Sequence, residues 1–439
     1  MTFLSGLRKF RLVPSMLFAG VLITACATAP TRPPAPISSG QPRPDVTPTP
    51  EPTPEIEPTP HTPTIPVPGE TQRPMVDRSK YVTPPHMVGR DVRRIAVLLP
   101  FSHSSSSVRE QASGLLAAIE MAMFDQGNDD ILLLPKDTAG DARKAAQVTK
   151  EVIDEGADVI IGPLFAESVR ASASIAREDK IPLLAFSNDR SAAGGGAFLM
   201  SFPPEEEVSR VVDWAVLNGV NRFAFIGPDN TYSRRVETAL RFEAARRGGA
   251  VIGAEFYDPS DNAPVDDARA ISDRIKLVLN QGVSKVAVMI PDRGVRLRGV
   301  APLLPYYGVS LRRLQYIGTS LWEDPDIWRE PVLENAAYAT QSPEDTRLFQ
   351  RGFSNVYGRQ PTSLSSLGYD AAALAIAFLD DGVVTEAEIT DYDGFRGVNG
   401  LFRFRSDGTI ERGLAVMSVQ ASGPTLLDEA ATDFRPSVN

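Results

Sequence analysis

Few residues in this chain are of the kinds that do covalent chemistry. Histidine stands only at His61, His86 and His103, each in a polar or proline-rich stretch. Neither a histidine-rich metal site nor a Ser-His relay therefore finds its partners. No G-x-S-x-G elbow and no Walker loop occurs, and "GPLFAES" lacks the lysine that a phosphate loop needs. Carboxylates do cluster, in "PEEEVSR" and "WEDPD". A pair of them flanking a sugar could in principle hydrolyse a glycoside, but acidic runs at helix starts ordinarily complement the helix dipole. "HSSSS" at 103–107 could cradle an anion at a helix amino terminus; a serine N-cap is the plainer reading. "GGG" at 194–196 reads as a flexible loop. These residues predict no enzyme, no metal and no cofactor, and a protein that works by association.

The single cysteine, Cys26, sits behind Arg8, Lys9, Arg11 and an apolar run over 13–25 that is too short to span a bilayer as a mature helix. The run reads as a signal peptide over 1–25. Its last residues, Ile23-Thr24-Ala25-Cys26, resemble the lipobox of bacterial lipoproteins, in which the chain is cleaved before the cysteine and the thiol is lipidated. An ordinary signal with an incidental cysteine is the alternative. The resemblance implies lipidation at Cys26, which leaves no thiol for nucleophilic catalysis or for a disulfide. Stability then comes from packing. Each buried lipid methylene contributes about 0.8 kcal/mol, so several acyl chains would hold the protein on a membrane. Ala27 after the cysteine, rather than an aspartate, implies the outer membrane of a Gram-negative cell with the folded part in the periplasm. A net charge of −10 argues against a nucleic-acid partner and against adhesion to anionic lipid.

Residues 26–92 form the next segment. Up to about Pro85 it runs through "TPTPEPTPEIEPTPHTPTIPVPG", rich in Pro, Thr and Glu and poor in aromatics. Such a stretch cannot bury enough apolar surface to offset its ordering entropy, so it is expected to be a disordered linker. At about 3.1 Å per residue in polyproline II, roughly 60 residues reach at most about 190 Å.

At "VRRIAVLLPFS" the composition changes. A continuous apolar strand over 95–99 is followed by Val108, Ala112, Leu115, Ile119 and Met123 at helical spacing, entered through the serine-rich turn. The cycle repeats with strands over 131–134, 158–161 and 182–186 and helices over 142–155 and 167–177. A second series starts after "FLMSFPPEEE", with helices over 205–217, 233–247 and 267–281 and strands over 222–226, 251–256, 285–290 and 314–317. This alternation predicts an α/β fold of parallel, doubly wound sheets. Two such series exceed one core and predict two lobes. Lobe I is assigned to 93–203 and 334–385, lobe II to 204–333 and 386–422, and a tail to 423–439. "GLFRFRSDGTIERGLAVMSV" reads as a terminal hairpin turning at Asp407-Gly408. The carboxyl edges of such sheets, and the cleft between lobes, are the default ligand site.

The segments "RRIAVLLPFS", "ADVIIGPLFAESVRASASIAREDKIPLLAFSN", "FIGPDNTYSRR" and "SSLGYDAAALAIAFL", in this order, resemble the type 1 periplasmic-binding-protein fold of the leucine-binding class over roughly residues 93–420. Together with the lipobox and linker, the chain is most similar to the penicillin-binding protein activator lipoproteins, which carry such a domain at the outer membrane and stimulate peptidoglycan synthases. Those activators often carry a helical-repeat domain before this fold; here the Pro-rich segment precedes Arg93.

In leucine-binding relatives a Ser after "GxL" and a Thr after the "IP" strand hold the ligand carboxylate. Those positions fall here on Ala166 and Asp189, and a slip of one or two residues brings in Ser168, Ser187 or Asn188. Alanine removes a donor worth about 0.5–1.5 kcal/mol to a neutral acceptor, and an aspartate repels a carboxylate. Weak or absent binding of free aliphatic amino acids is the expectation. By position at strand ends, Ser102, His103, Tyr232, Asp292, Arg293, Trp322 and Glu323 are further cleft candidates, each with packing or a turn as its ordinary alternative. Two functions follow: a non-enzymatic regulator docking on a peptidoglycan synthase, or a receptor that closes around an amino acid or small amide for an ABC transporter.

Overall fold

The run "RRIAVLL" forms strand β1 (Arg93–Leu99), buried on both faces for nearly its whole length. A strand so apolar needs helices above and below it, and the chain supplies both. In this computed structural model the described residues are 81–380, 382 and 384–434, so the signal segment, Cys26, His61 and the linker through residue 80 lie outside them, as do the last five residues.

Four more strands join β1: β2 (Ile131–Asp137), β3 (Val159–Ile161), β4 (Leu183–Ala185) and β5 (Ala197–Leu199). They pair in parallel in the order β2-β1-β3-β4-β5. Side chains alternate between two cores. Ile95, Val97 and Leu99 face the helices Ser106–Gln126 and Ser365–Asp380 through Leu115, Ile119, Leu367 and Ala371. Ala96 and Leu98 face Val148, Val152 and Val169 of the helices Ala142–Asp154 and Ala166–Ala176. Helices Ser106–Gln126 and Ser365–Asp380 cross closely because both carry glycine at the crossing. A Cβ on Gly368 would lie 2.7 Å from the Leu115 carbonyl oxygen, and one on Gly114 would meet Thr362 and Ser365.

The second sheet has seven strands: β6 (Arg222–Pro228), β7 (Ala250–Tyr257), β8 (Val286–Met289), β9 (Leu314–Gly318), β10 (Ala337–Thr340), β14 (Ala415–Ser418) and β15 (Thr425–Asp428). Their order is β15-β14-β10-β9-β8-β6-β7, parallel from β10 to β7 and antiparallel at β14 and β15. Again the period is two: Ala224 and Ile226 face the helix Val265–Asn280, whereas Phe223 and Phe225 face the helices Pro204–Leu217 and Thr231–Arg246. The short strands β11 (Phe395–Gly397), β12 (Gly400–Phe404) and β13 (Ile410–Arg412) form a separate antiparallel sheet. Thus the α/β, mostly parallel, doubly wound architecture expected from the sequence is present.

The crossings between the sheets differ from the expected boundaries. The segment from 334 was assigned to lobe I, but β10 pairs with β9 and β14 in the second sheet, and the chain returns to the first only with the helix Pro343–Tyr357, whose Phe349 and Phe353 pack on Ala117 and Met121. The segment from 386 was assigned to lobe II, yet Phe402, Phe404 and Ile410 enter the first core. Strand β15, expected as tail, is an edge of the second sheet. The hairpin does turn at Asp407-Gly408, between Phe404 and Ile410, and the Gly408 carbonyl accepts from the N–H of Leu199 on β5. Beyond Arg412 the chain leaves this hairpin for β14. Three crossovers therefore join the halves, after β5, β10 and β13.

The first described residues lie against the amino-terminal end of the first sheet. Arg94, almost wholly buried, donates to the Val92 carbonyl and to Thr83 Oγ1, and its guanidinium stands 5.0 Å from the Tyr81 ring centre. No helix among the described residues is long and apolar enough to cross a membrane.

Candidate functional site

The parallel strands of both sheets deliver their loops from the carboxyl ends, so one wall of the cleft comes from each half. On the first wall, the loop after β1 is held by Asp137 at the end of β2. Ser102 donates to Asp137 from its hydroxyl (2.5 Å) and its N–H (3.1 Å), and Lys144 Nζ donates at 2.7 Å. Burial would raise the Asp137 carboxyl, but the donors from Lys144, Ser102 and the Ala139 N–H outweigh it and hold the group well below the usual carboxylate range. His103 accepts from the Ser105 N–H at Nδ1 and packs its ring 5.4 Å from that of Phe165. Ser102 and His103 therefore shape a loop, and the serine run starts the helix Ser106–Gln126 without any side-chain cap.

Around the helix Ala166–Ala176 the expected ligand positions have their own tasks. Ala166 is its first residue and offers no hydroxyl. Ser168 is fully buried, with its Oγ unpartnered inside the lobe. Ser187, nearly buried, accepts from the Asp189 N–H. Asp189 accepts from both the N–H and the hydroxyl of Ser191, which hold its carboxyl below the ordinary value. Asn188 uses its carbonyl to accept from Arg235 Nη2 at 2.9 Å, a hydrogen bond that runs from one lobe to the other.

The second wall is built from the helix Pro204–Leu217, the start of the helix Thr231–Arg246 and the loop after β9. Its three consecutive glutamates take three directions. Glu205 receives Nε and Nη2 of Arg235, each at 2.8 Å. Glu206 pairs with Arg405 of the hairpin at 3.0 Å. Glu207, buried, accepts from the Ser320 hydroxyl (2.7 Å) and N–H (3.1 Å), and burial pushes its carboxyl up to about 7 despite those donors. Tyr232 donates to Thr319 Oγ1 at 3.0 Å, beside the same loop. Glu323 is exposed as a residue, yet burial raises its carboxyl, against the pull of the Thr340 and Tyr338 hydroxyls.

Two other sequence candidates do not reach the cleft. Trp322 is fully buried; its indole N–H donates to the Ile290 carbonyl and its ring fills the space that Gly318 leaves. An aromatic residue there completes the lobe II core, which no local sequence signal distinguishes from a ligand platform. Asp292 is buried under Tyr257 (2.6 Å) and Arg296 (2.9 and 3.0 Å), a structural ion pair, while Arg293 beside it is exposed and donates its N–H to Asp292. Residues the sequence reading passed over are Glu207, Arg235, Ser320 and Tyr338. The acidic run was legible, but its partners come from 30 to 199 residues away and only folding brings them together.

Behind the cleft the crossovers are clasped to each other. Arg412, at the end of β13, is almost fully buried and donates Nε to the Ser201 carbonyl of the first crossover at 2.7 Å. Its guanidinium lies 4.6 Å from the Phe202 ring centre, and its Nη1 has no hydrogen-bond partner. Burial lowers the guanidinium to about 10, against the pull of Asp370 and Glu206. Asp370, also buried, accepts from the Val398 N–H and Asn399 Nδ2 at 2.7 Å each; burial pushes its carboxyl up to about 6, and Arg412 opposes that rise. Two concavities flank this frame. One of about 530 Å³ lies at the cleft mouth by Arg190, Arg235 and Phe242; the other, about 370 Å³, lies behind the crossovers by Asp345, Arg396 and Leu426.

Two lobes, parallel sheets presenting their carboxyl edges and three crossovers define the type 1 periplasmic-binding-protein fold. Residues 93–293 match the family model described as periplasmic binding protein. A putative branched-chain amino acid ABC transporter protein from Rhodospirillum rubrum superposes with a TM-score of 0.66 at 19% identity, covering 76% of this chain and 100% of that one. A branched-chain amino acid ABC transporter periplasmic ligand-binding protein from Burkholderia xenovorans LB400 gives 0.62 at 17% identity, over 77% and 96%. In sequence, the uncharacterized protein RP748 of Rickettsia prowazekii is 19% identical over 221 residues, 50% of this chain and 58% of that protein. The alignment thus spans little more than half of that relative.

Proposed function

We propose that this chain is a non-enzymatic regulatory module of the periplasm, lipidated at Cys26, which docks its two-lobed domain on a peptidoglycan synthase. The observation that carries the reading is the state of the first cleft wall. Where leucine-binding relatives hold a ligand carboxylate, this chain has Ala166 and an Asp189 turned onto its own Ser191, and the Asn188 carbonyl beside them is already engaged by Arg235 of the other lobe. A wall without the carboxylate donors and with an added anion suits reuse of the fold as a contact surface. The described chain also enters the domain at the amino-terminal end of the first sheet, by Tyr81 and Arg94, at the end opposite the carboxyl-edge loops.

The test is a reconstituted assay of glycan-strand synthesis by a purified bifunctional synthase, with and without this protein. A rise in polymerisation or cross-linking rate is expected. Recovery of permease subunits and no synthase from solubilised envelope would reverse the reading in favour of a transporter receptor. That second function is supported by the solved structures of similar fold, which include ABC transporter binding proteins. Labelled palmitate should enter the wild-type protein and not Cys26→Ser.

A further inference from the structure

Beyond the three crossovers, the chain passes between the halves once more. Strand β15 belongs to the second sheet through its ladder with β14, which ends at Asp428. A few residues on, Phe434 lies on the first half. Its ring stands over Gly394, where a Cβ would lie 3.0 Å from it. Tyr392, Gly394 and Arg403 belong to the first half, since Ile389, Phe402 and Phe404 around them enter the first core. Each end of this segment has its own fastening. On the second half, Arg210 of the helix Pro204–Leu217 gives Nη2 to both the Glu429 carbonyl and the Asp428 carboxylate, each at 2.9 Å. Its Nε donates to the Leu414 carbonyl of the third crossover at 2.7 Å. On the first half, Glu411 (2.8 and 2.9 Å) and the Tyr392 carbonyl (3.0 Å) fix the Arg403 guanidinium. The rings of Tyr392 and Phe434 take up the guanidinium between them, with centres at 4.6 and 4.5 Å. A cation whose donors are used within its plane leaves its faces to aromatic rings, and each ring adds cation–π attraction.

Between the fastenings, residues 430–433 form no strand. The Ala431 carbonyl oxygen rests on the third crossover, 2.8 Å from where a Cβ on Gly413 would stand. Ala430, Ala431 and Thr432 wall the concavity of about 370 Å³ that also borders Ser342 of the second crossover. A segment that borders open space and is fixed at its two ends can leave and return without unfolding either core. Fully extended, the backbone from Glu429 to Phe434 reaches at most about 18 Å. While both ends hold, the halves cannot part at that place beyond this reach.

We infer that the segment after β15 is a strap that limits the relative motion of the two lobes, with Phe434 on Arg403 as its detachable end. This inference is separate from the synthase reading, because it is tested with no synthase present and survives if that stimulation fails. The test measures inter-lobe distances in the full chain by double electron–electron resonance. Nitroxides are placed through Glu167→Cys and Asp326→Cys, exposed positions on lobes I and II, with Cys26→Ser so that only these two sites are labelled. In Phe434→Ala, and in a chain ended after Glu429, the distance distribution should broaden and its far edge should move outward. Phe434→Tyr keeps a ring on Arg403 and should retain the wild-type width. A pair within lobe I, Glu110→Cys with Glu167→Cys, should be unchanged in every variant, which separates lobe motion from loss of the fold. The inference is overturned if either folded variant keeps the wild-type inter-lobe distribution. It is equally overturned if Phe434→Tyr spreads as widely as Phe434→Ala, or if the pair within lobe I broadens by as much as the inter-lobe pair.

Discussion

Arg412→Met removes the guanidinium that ties the third crossover to the first, and its cost should depend on pH in a way that packing alone does not. Two losses are separable. The bond to the Ser201 carbonyl and the stacking on Phe202 vanish at any pH, for about 1–2 kcal/mol. The other loss concerns Asp370. Its carboxyl stands at about 6 in the fold against an ordinary 3.8, so the native protein keeps a proton that the unfolded chain has released. Stability therefore falls as pH rises from about 4 to 6 and is level above that. Without Arg412 the native carboxyl becomes less acidic still, the fall continues above pH 6, and every further tenfold loss of acidity costs about 1.4 kcal/mol at high pH. At pH 5 Asp370 is mostly protonated with or without its partner, so this component is small. Urea unfolding at pH 5, 6.5 and 8 should give a destabilisation of about 1–2 kcal/mol at pH 5, rising to about 3–5 kcal/mol at pH 8, the range for breaking a buried charge pair. Asp370→Asn in the same background should recover the pH-8 increment, because Asn399 can turn its amide to meet the new side chain. An equal loss at all three pH values would refute the electrostatic argument.

Three further outcomes follow from the geometry. Gly368→Ala places a Cβ 2.7 Å from the Leu115 carbonyl oxygen, a backbone atom that no rotamer change can move; a loss of about 1–3 kcal/mol is expected in thermal unfolding despite alanine's better helix propensity. Glu207, with its carboxyl at about 7, makes the native state lose stability as pH rises from about 4.5 to 7, by about 3 kcal/mol in all. Glu207→Gln should lack that slope and unfold at a higher urea concentration than wild type at pH 8. Arg235→Met removes the only described side-chain donor to the Asn188 carbonyl, so the radius of gyration from solution scattering should increase; an unchanged value would mean that the crossovers alone set the closure.

How much was legible beforehand varied with the range of the interaction. Strands β1, β6 and β8 and the helices that follow the first two were readable because an apolar run buried on both faces, and a 3.6-residue stripe, are properties of a dozen neighbouring residues; the helices Gly294–Val300 and Leu303–Tyr306 after β8 were not expected. The Asp407-Gly408 turn was readable for the same reason. Strand β10 was misplaced because "AYAT" fits either sheet, and only its ladder with β9 and β14 selects the second. Trp322 and Glu323 are adjacent in sequence and alike in position at a strand end, yet the indole fills the core behind Gly318 while Glu323 is an exposed residue.

From the amino-acid order alone came the class of fold, the division into two parallel-sheet halves, the expectation of a signal with Cys26 as its lipidation point, and the scarcity of catalytic side chains. These are local or compositional, and each is decided by residues close together in the chain. Tertiary structure decided the rest: where the chain crosses between halves, which of Glu205, Glu206 and Glu207 meets Arg235, Arg405 or Ser320, and that Arg412 and Asp370 are buried at the crossovers. Those outcomes depend on which distant surfaces exclude water from one another, and on the pairing each buried charge must then find.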